Sequence, residues 1–301
     1  MTKVVLTTKV DPTYDDLPEE RYHFPRTYLN AIQSAVGDWA VYYEPRRTSG
    51  DLSSRGGRQA YFATARIRRL EQDPTSPDHY YAYVSDYIDF PRPVTFREGS
   101  HFYESALVRA DGKTNKGAFG RAARLISDSE YDLIFQAGFA NVLEGTSSTE
   151  LPSHNHPGMM DEPATIDRPI IERLVARPFR EAAFARNVKL AYDNTCAVTG
   201  LKLINGGGRS EVQAAHIRPV ASQGPDSVRN GLALSGTIHW MFDRGLISID
   251  EDFSILTAPG QVPDTLGRLL RPDGVIRLPA RKELRPHPQF LEYHRNCIFK
   301  G

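Results

Sequence analysis

One stretch of the chain, residues 196–250, reads CAVTGLKLINGGGRSEVQAAHIRPVASQGPDSVRNGLALSGTIHWMFDRGLISID. Within it, EVQAAHIRPV at 211–220 is typical of a strand, and a short helix is expected at 235–243. A second strand should follow that helix and end near residue 250. The stretch therefore predicts a compact unit in the order strand, loop, helix, strand.

Four polar residues of this stretch have a spacing that suits metal-assisted chemistry. His216, Asn230, His239 and Asp243 follow one another at intervals of 14, 9 and 4 residues. Residues four apart share one face of a helix, so His239 and Asp243 form half of a site for a divalent metal. His216 lies on the preceding strand, from which it could reach the same site.

The order of short motifs in Cys196–Asp250 resembles the HNH (ββα-metal) endonucleases. The resemblance is closest to the subgroup with AHI-x-P, then NG-L-x-L, then H-x-x-FD-x-G. It also includes a CxxTG lead-in and a PD-x-x-x-NG loop. The motifs run in one order over about 55 residues. The resemblance implies a metal-dependent DNA endonuclease, a hydrolase of phosphodiester bonds.

The resemblance also implies a role for each of the four residues. His216 would be the general base that takes a proton from the attacking water. Asn230 would hold the hairpin loop and orient that base. His239 would bind the metal and Asp243 would be a further ligand, with Mg²⁺ as the expected ion and Mn²⁺, Co²⁺ or Ni²⁺ as options. The products would carry 5′-phosphate and 3′-hydroxyl ends.

Two positions depart from common family patterns. Ala215 stands where many members place a metal ligand, which predicts weak metal binding without DNA. Thr199 replaces the second cysteine of a zinc ribbon, so no structural zinc is expected and Cys196 should be a small buried apolar residue. A strand histidine is by itself more often a core residue than a base, and Asp243 could instead pair with Arg244 or Arg218.

The N-terminal half is rich in aromatic and β-branched segments that predict strands at 37–45, 59–70 and 79–90. Helices are expected at 24–36 and 127–139. The fold class expected for the chain is α+β: an N-terminal β-barrel with flanking helices, and a C-terminal ββα-metal HNH domain. The domains expected are 1–145, a linker at 146–167 and 168–301. His154 and His156 are interpreted as part of that linker.

The pattern YHFP-x-x-YL, GDW-x-VYYEPRR, YFA-x-A-x-I, YYAYV over about residues 20–110 resembles EVE-like and ASCH-like domains of the PUA superfamily. The resemblance implies that the N-terminal barrel is a PUA-like (EVE-like) module that holds a flipped modified base in an aromatic pocket. The candidate binding residues are Trp39, Tyr43, Phe24, Arg46, Arg47, Arg55 and Arg58. The alternative is that these aromatic residues fill the core of the barrel and that the arginines belong to an ordinary solvated loop.

Composition sets the remaining limits. The 301 residues carry 37 basic and 37 acidic side chains, so the net charge is zero. No apolar run is long enough for a membrane helix, and the N-terminus does not resemble a secretory signal. Two cysteines cannot build a disulfide scaffold, which favours a cytoplasmic location.

Three functions are consistent with the sequence. The first is a modification-dependent restriction endonuclease that cuts double-stranded DNA near a modified cytosine, acting as a homodimer. The second is an HNH endonuclease or nickase of unmodified DNA. The third is a non-catalytic nucleic-acid-binding protein with a decayed HNH site.

Overall fold

The computed structural model describes residues 2–9, 15–51, 53–146 and 177–301. The chain divides into two compact units, Met1–Arg180 and Glu181–Gly301. Apart from residue 146, the predicted linker lies outside the described residues, as do His154 and His156. The predicted domain limits therefore stay predictions.

The N-terminal unit is built on one mixed six-stranded sheet. Its strands are β1 (Lys3–Thr7), β2 (Arg21–Pro25), β3 (Trp39–Glu44), β4 (Ala60–Gln72), β5 (His79–Thr95) and β8 (Ala123–Ile126). They are ordered β2-β5-β4-β3-β1-β8, and only the β1–β3 pair is parallel. Two short strands, β6 (Arg97–Glu98) and β7 (His101–Phe102), form a separate hairpin. The three strands predicted from the aromatic segments are confirmed.

The sheet curls into a half-barrel because β4 and β5 are long and bulged. Their pairing shifts register at three points, and each bulge bends and twists the strands. The curl brings the two edges of the sheet together. Tyr22 of edge strand β2 donates its hydroxyl to the carbonyl of Ala122, beside edge strand β8, at 2.8 Å. The expected α+β, barrel-like class is confirmed, with an incompletely closed sheet.

Aromatic side chains fill both faces of this sheet. One face buries Tyr22, Phe24, Tyr42 and Phe62 in one cluster. The other face is covered by α3 (Asp128–Thr146). Gly138 of α3 lies so close to β5 that a side chain there would overlap the ring of Phe90. The remaining helices of the unit are α1 (Leu29–Gln33) and α2 (Lys116–Phe119).

The C-terminal unit follows the order predicted from residues 196–250. Helix α4 (Arg177–Ala191) leads to strands β9 (Gln213–His216) and β10 (Gly231–Leu234), helix α5 (Gly236–Asp243) and strand β11 (Ile247–Ile249). The unit ends with β12 (Ile255–Thr257), α6 (Asp264–Gly267) and α7 (Pro288–Cys297). Strands β9 and β10 pair with each other, as do β11 and β12.

A single apolar core holds this unit together. Cys196 is fully buried in it, as predicted. Gly231, the first residue of β10, lies in close contact with α4, because a side chain at this position would overlap Val188. The tight packing of β10 on α4 fixes the hairpin that carries His216. Across the described residues of both units, no helix is long and apolar enough to span a membrane.

Candidate functional sites

The β9–β10 hairpin places His216 at the end of β9, opposite Gly231. The imidazole is about one-fifth exposed, so water can reach it. Its ring stacks on Phe184 of α4 with centroids 3.9 Å apart and planes 12° apart. This stacking fixes the plane of the ring and leaves its edge available for chemistry.

Asp226 completes the surroundings of His216. The imidazole Nε2 lies 3.1 Å from Asp226 Oδ1. An ionised carboxylate only accepts hydrogen bonds, so this contact places the ring proton on Nε2 and the lone pair on Nδ1. Sequence reasoning noted Asp226 in the loop motif but gave it no role; its position in PD-x-x-x-NG was the available signal. The pair has the arrangement of a base held by an orienting carboxylate.

Asn230 is fully buried and acts on the loop between the two strands. Its amide donates to the carbonyls of Arg218 and Pro225, both at 3.0 Å, and accepts from the backbone N–H of Arg218 at 2.8 Å. Gly224 lies in the same loop, where a side chain would overlap the carbonyl of Arg218. Through these contacts Asn230 joins the two ends of the loop, and its role in the reaction stays a prediction.

Helix α5 brings His239 and Asp243 together, as their spacing predicted. His239 Nε2 lies 3.4 Å from Asp243 Oδ2, and the carboxylate is about half exposed. The other ring nitrogen, Nδ1, contacts Oε1 of Gln213 on β9 at 2.8 Å. Because the amide oxygen accepts, Nδ1 carries the proton and Nε2 keeps its lone pair toward Asp243. No sequence signal pointed to Gln213.

An imidazole Nε2 and a carboxylate oxygen at this separation fit a divalent metal. A ligating histidine commonly donates its second ring N–H to a neighbouring acceptor, and Gln213 provides one. Ala215 is fully buried and offers no ligand. Among the described residues, no group of three or more histidine, cysteine or acidic side chains could hold a metal ion. The rest of the coordination shell would therefore come from water and phosphate.

A cavity of about 560 Å³ opens in the N-terminal unit at one end of its sheet. Tyr22, Tyr28, Tyr43 and Phe119 supply aromatic wall, and Arg46 and Arg47 supply positive charge. The volume lies within the range typical of small-molecule sites. Tyr43 is fully buried, and its hydroxyl has no hydrogen-bond partner among the described residues.

Only some of the base-binding and DNA-binding residues predicted from the sequence line this cavity. Tyr43, Arg46 and Arg47 line it, whereas Trp39, Phe24, Arg55 and Arg58 are absent from its lining. Phe24 is fully buried, and its ring stacks on that of Tyr80 with centroids 6.1 Å apart.

Contacts within the loop between β3 and β4 explain why Arg58 points away from the cavity lining while Arg46 and Arg47 belong to it. Arg58 pairs with Glu44 at 2.7 Å, and its guanidinium lies over the ring of Phe62. Gly57 donates its N–H to the carbonyl of Arg46, so the base of the loop is closed. Arg46 and Arg47 are exposed, and no carboxylate among the described residues pairs with either.

Asp16 also lines the cavity, and sequence reasoning missed it in the acidic run DPTYDDLPEE. Its carboxylate accepts from the backbone N–H of His23 at 2.7 Å. Burial raises the pKa of Asp16 to about 7, against the lowering effect of that hydrogen bond. The cavity therefore combines aromatic wall, exposed cations and one carboxyl group that is partly neutral near pH 7.

Residues 196–250 match the HNH endonuclease family. No curated protein matches the chain. The solved structure of the modification-dependent TagI restriction endonuclease is 16% identical and aligns over 97% of this chain and 80% of its own, with a TM-score of 0.33. The N-terminal domain of McrB from Staphylothermus marinus is 10% identical over 44% of this chain and 93% of its own, with a TM-score of 0.31. At these scores the structural likeness is weak.

Proposed function

We propose that the chain is a modification-dependent restriction endonuclease. The N-terminal unit binds double-stranded DNA that contains 5-methyl- or 5-hydroxymethylcytosine, and the HNH unit hydrolyses a phosphodiester bond nearby. The observation that carries the nuclease assignment lies within the HNH family match. There, one ring nitrogen of His216 is held by Asp226 and one of His239 by Gln213, and the second nitrogen of each ring is left for chemistry.

The chemistry follows from these contacts. Nδ1 of His216 takes a proton from the attacking water while Asp226 stabilises the imidazolium that forms. Asn230 keeps the loop around this pair in place. His239 and Asp243 would hold a divalent metal, which supplies charge stabilisation at the leaving oxygen.

The N-terminal cavity supports recognition of a flipped base. Tyr28 and Phe119, the partly exposed aromatic residues of its wall, offer stacking surface, which offsets part of the cost of removing a base from the helix. Arg46 and Arg47 at its mouth can bind backbone phosphates. Tyr43 is the residue that links the cavity to the expected EVE-like pocket. Trp39, Phe24, Arg55 and Arg58 are more distant candidates because they do not line the cavity.

A plasmid panel tests this function directly. Three plasmids of one sequence carry cytosine, 5-methylcytosine or 5-hydroxymethylcytosine, and each is incubated with the protein and Mg²⁺. Cleavage of a modified plasmid alone, abolished by EDTA and absent in His216→Ala, is the expected result. Equal cleavage of all three would identify an HNH endonuclease of unmodified DNA. Binding without cleavage under Mg²⁺, Mn²⁺, Co²⁺ and Ni²⁺ would identify a non-catalytic binding protein.

The expected assembly is a homodimer in the cytoplasm, because one HNH site cuts one strand and a double-strand break needs two. Sedimentation of the protein with and without modified DNA tests this assembly. A monomer that produces only nicked circles would contradict it.

A further inference from the structure

Among the described residues, Trp240 is the most exposed of the large apolar side chains, with 58% of its surface in contact with solvent. It follows His239 directly on α5. The helix packs through Ile238, Met241 and Phe242, which are all buried, so Trp240 is not part of the core that holds α5. The exposed indole is therefore available to contact a molecule that binds at the neighbouring His239 and Asp243, and tryptophan is enriched at binding interfaces.

The order of side chains around α5 indicates what that partner is. At 3.6 residues per turn, Asp243, Trp240 and Arg244 lie about 40°, 100° and 140° around the axis from His239. One continuous solvent face thus presents the metal pair, then the indole, then a guanidinium. The Arg244 guanidinium lies 6.0 Å from the indole centroid, and no carboxylate pairs with it among the described residues.

This face matches the local structure of a nucleic-acid strand. A phosphate at His239 and Asp243 and a neighbouring phosphate at Arg244 would leave the intervening nucleotide beside the indole. An aromatic ring stacks on any base, and apolar wedges enter the minor groove to separate neighbouring base pairs.

We propose that Trp240 inserts into the minor groove and unstacks the base step beside the scissile phosphate, with Arg244 holding the next phosphate. Unstacking loosens the backbone at that step, so the water activated by His216 can approach the phosphorus in line with the leaving oxygen. This inference rests on the proposed function, since it concerns the DNA cut by the HNH unit.

The test uses the full-length protein and a duplex oligonucleotide that spans a mapped cleavage position and carries 5-hydroxymethylcytosine. The fluorescent base 2-aminopurine replaces one base beside the scissile phosphate and brightens when it unstacks. In the inactive His216→Ala background, binding should raise this fluorescence, and adding Trp240→Ala should abolish the rise. Single-turnover cleavage by Trp240→Ala alone should fall by about 5- to 150-fold, and Trp240→Phe should retain part of the rate.

A pre-opened substrate separates wedging from simple surface contact. With a mismatch at the same step, Trp240→Ala should cleave within about threefold of wild type, because the mismatch removes most of the unstacking cost. Leu203→Ala is the matched control, since Leu203 is also large, apolar and about half exposed but lies outside α5. It should behave as wild type on both duplexes.

Three results would overturn the inference. In the first, Trp240→Ala unstacks and cleaves DNA as the wild type does, and in the second, the mismatch fails to restore its cleavage rate. The third is a loss of activity accompanied by a changed sedimentation coefficient, which reports a change in oligomeric state. The last result would assign Trp240 to a subunit interface. If wild type cleaves no DNA at all, the proposed function fails instead. If the wild-type protein cleaves DNA but binding does not raise the 2-aminopurine fluorescence, only the proposed insertion of Trp240 is rejected.

Discussion

The two units differ in the sequence separation of the residues that form their candidate sites. The HNH site draws His216, Asp226 and His239 from one hairpin and the helix that follows it. The N-terminal cavity draws its wall from β2, β3 and the segment at 116–122, which are separated by up to about a hundred residues. A local motif can specify the first arrangement, whereas the second depends on how a whole sheet curls.

The units also place polar groups differently. In the HNH site the two imidazole side chains are about one-fifth exposed, and one nitrogen of each ring is held by one polar partner. In the N-terminal unit Arg124 and Glu104 form an ion pair that is almost wholly buried, and Tyr61 donates to the same carboxylate at 2.6 Å. Burying such a pair is costly unless every group is bonded, so this cluster fixes the strands behind Tyr43. Tyr43 is therefore a structural residue as well as a cavity residue.

The largest expected effect concerns the local site. His216→Ala should lower single-turnover cleavage by about 10²–10⁴-fold, because the water loses its general base. DNA affinity, measured by fluorescence anisotropy, should stay unchanged because the imidazole acts on water. Cleavage within about tenfold of wild type would remove His216 from the base role.

His294 tests whether the HNH unit also depends on buried polar contacts. Its Nε2 donates to the carbonyl of Phe242 at 3.1 Å, and its Nδ1 accepts from the hydroxyl of Ser248 at 2.9 Å. Burial lowers the pKa of His294 from 6.5 to about 4. The neutral ring therefore stabilises the folded state fully above pH 6.5, and this stability is lost as pH falls from 6.5 toward 4.

We expect the loss to reach about 3 kcal/mol in the free energy of unfolding, or roughly 150-fold in the unfolding equilibrium. Urea unfolding at pH 7.5 and pH 4, followed by circular dichroism, measures it against His294→Gln. The difference in stability between wild type and variant should shrink on acidification. An unchanged difference would show that His294 does not titrate with folding.

Gln213 tests whether the contact behind the metal pair matters. Gln213→Ala removes the acceptor of His239 Nδ1 and should raise the metal concentration for half-maximal cleavage by about 10- to 100-fold. Excess metal should restore the rate, and Gln213→Glu, which keeps an acceptor, should retain tighter binding than alanine does. An unaltered metal requirement in Gln213→Ala would show that this contact does not orient the ligand.

The arginines at the cavity mouth test whether the N-terminal cavity binds DNA. Replacing Arg46 and Arg47 by alanine should weaken binding to modified and unmodified duplexes alike. It should also lower the slope of log K against log salt by about 2. Arg109→Ala is the control, since Arg109 is exposed but absent from the cavity lining. A loss confined to modified DNA would mean that these arginines contact the base itself.

The smallest expected effect is that of chelation on stability. EDTA should abolish cleavage yet shift the thermal midpoint by no more than about 4 °C, the change that ~1 kcal/mol produces in a domain of this size. Calorimetry with and without EDTA measures it. A larger drop would reveal a structural metal and contradict the interpretation of Cys196 and Thr199.

Sequence reasoning was most successful where chemistry and secondary structure share one short segment. The i, i+4 spacing alone placed His239 beside Asp243, and the apolar pattern alone predicted the helix that carries them. It missed Gln213 and left Asp226 without a role, because each acts through a side-chain contact that forms only when the hairpin and the following helix are folded. Neither residue type is distinctive enough in one sequence to mark such a contact.

The aromatic pattern of the N-terminal half determined strands and their approximate limits, since period-two alternation and β propensity are local properties. Which aromatic residues line a cavity was decided by tertiary structure alone. Tyr43 and Phe24 are both fully buried, yet only Tyr43 meets the cavity, because the bulged strands curl the sheet and open a space at one end. The burial that raises the pKa of Asp16 has the same origin: residues far apart in sequence enclose it, and no local pattern encodes that enclosure.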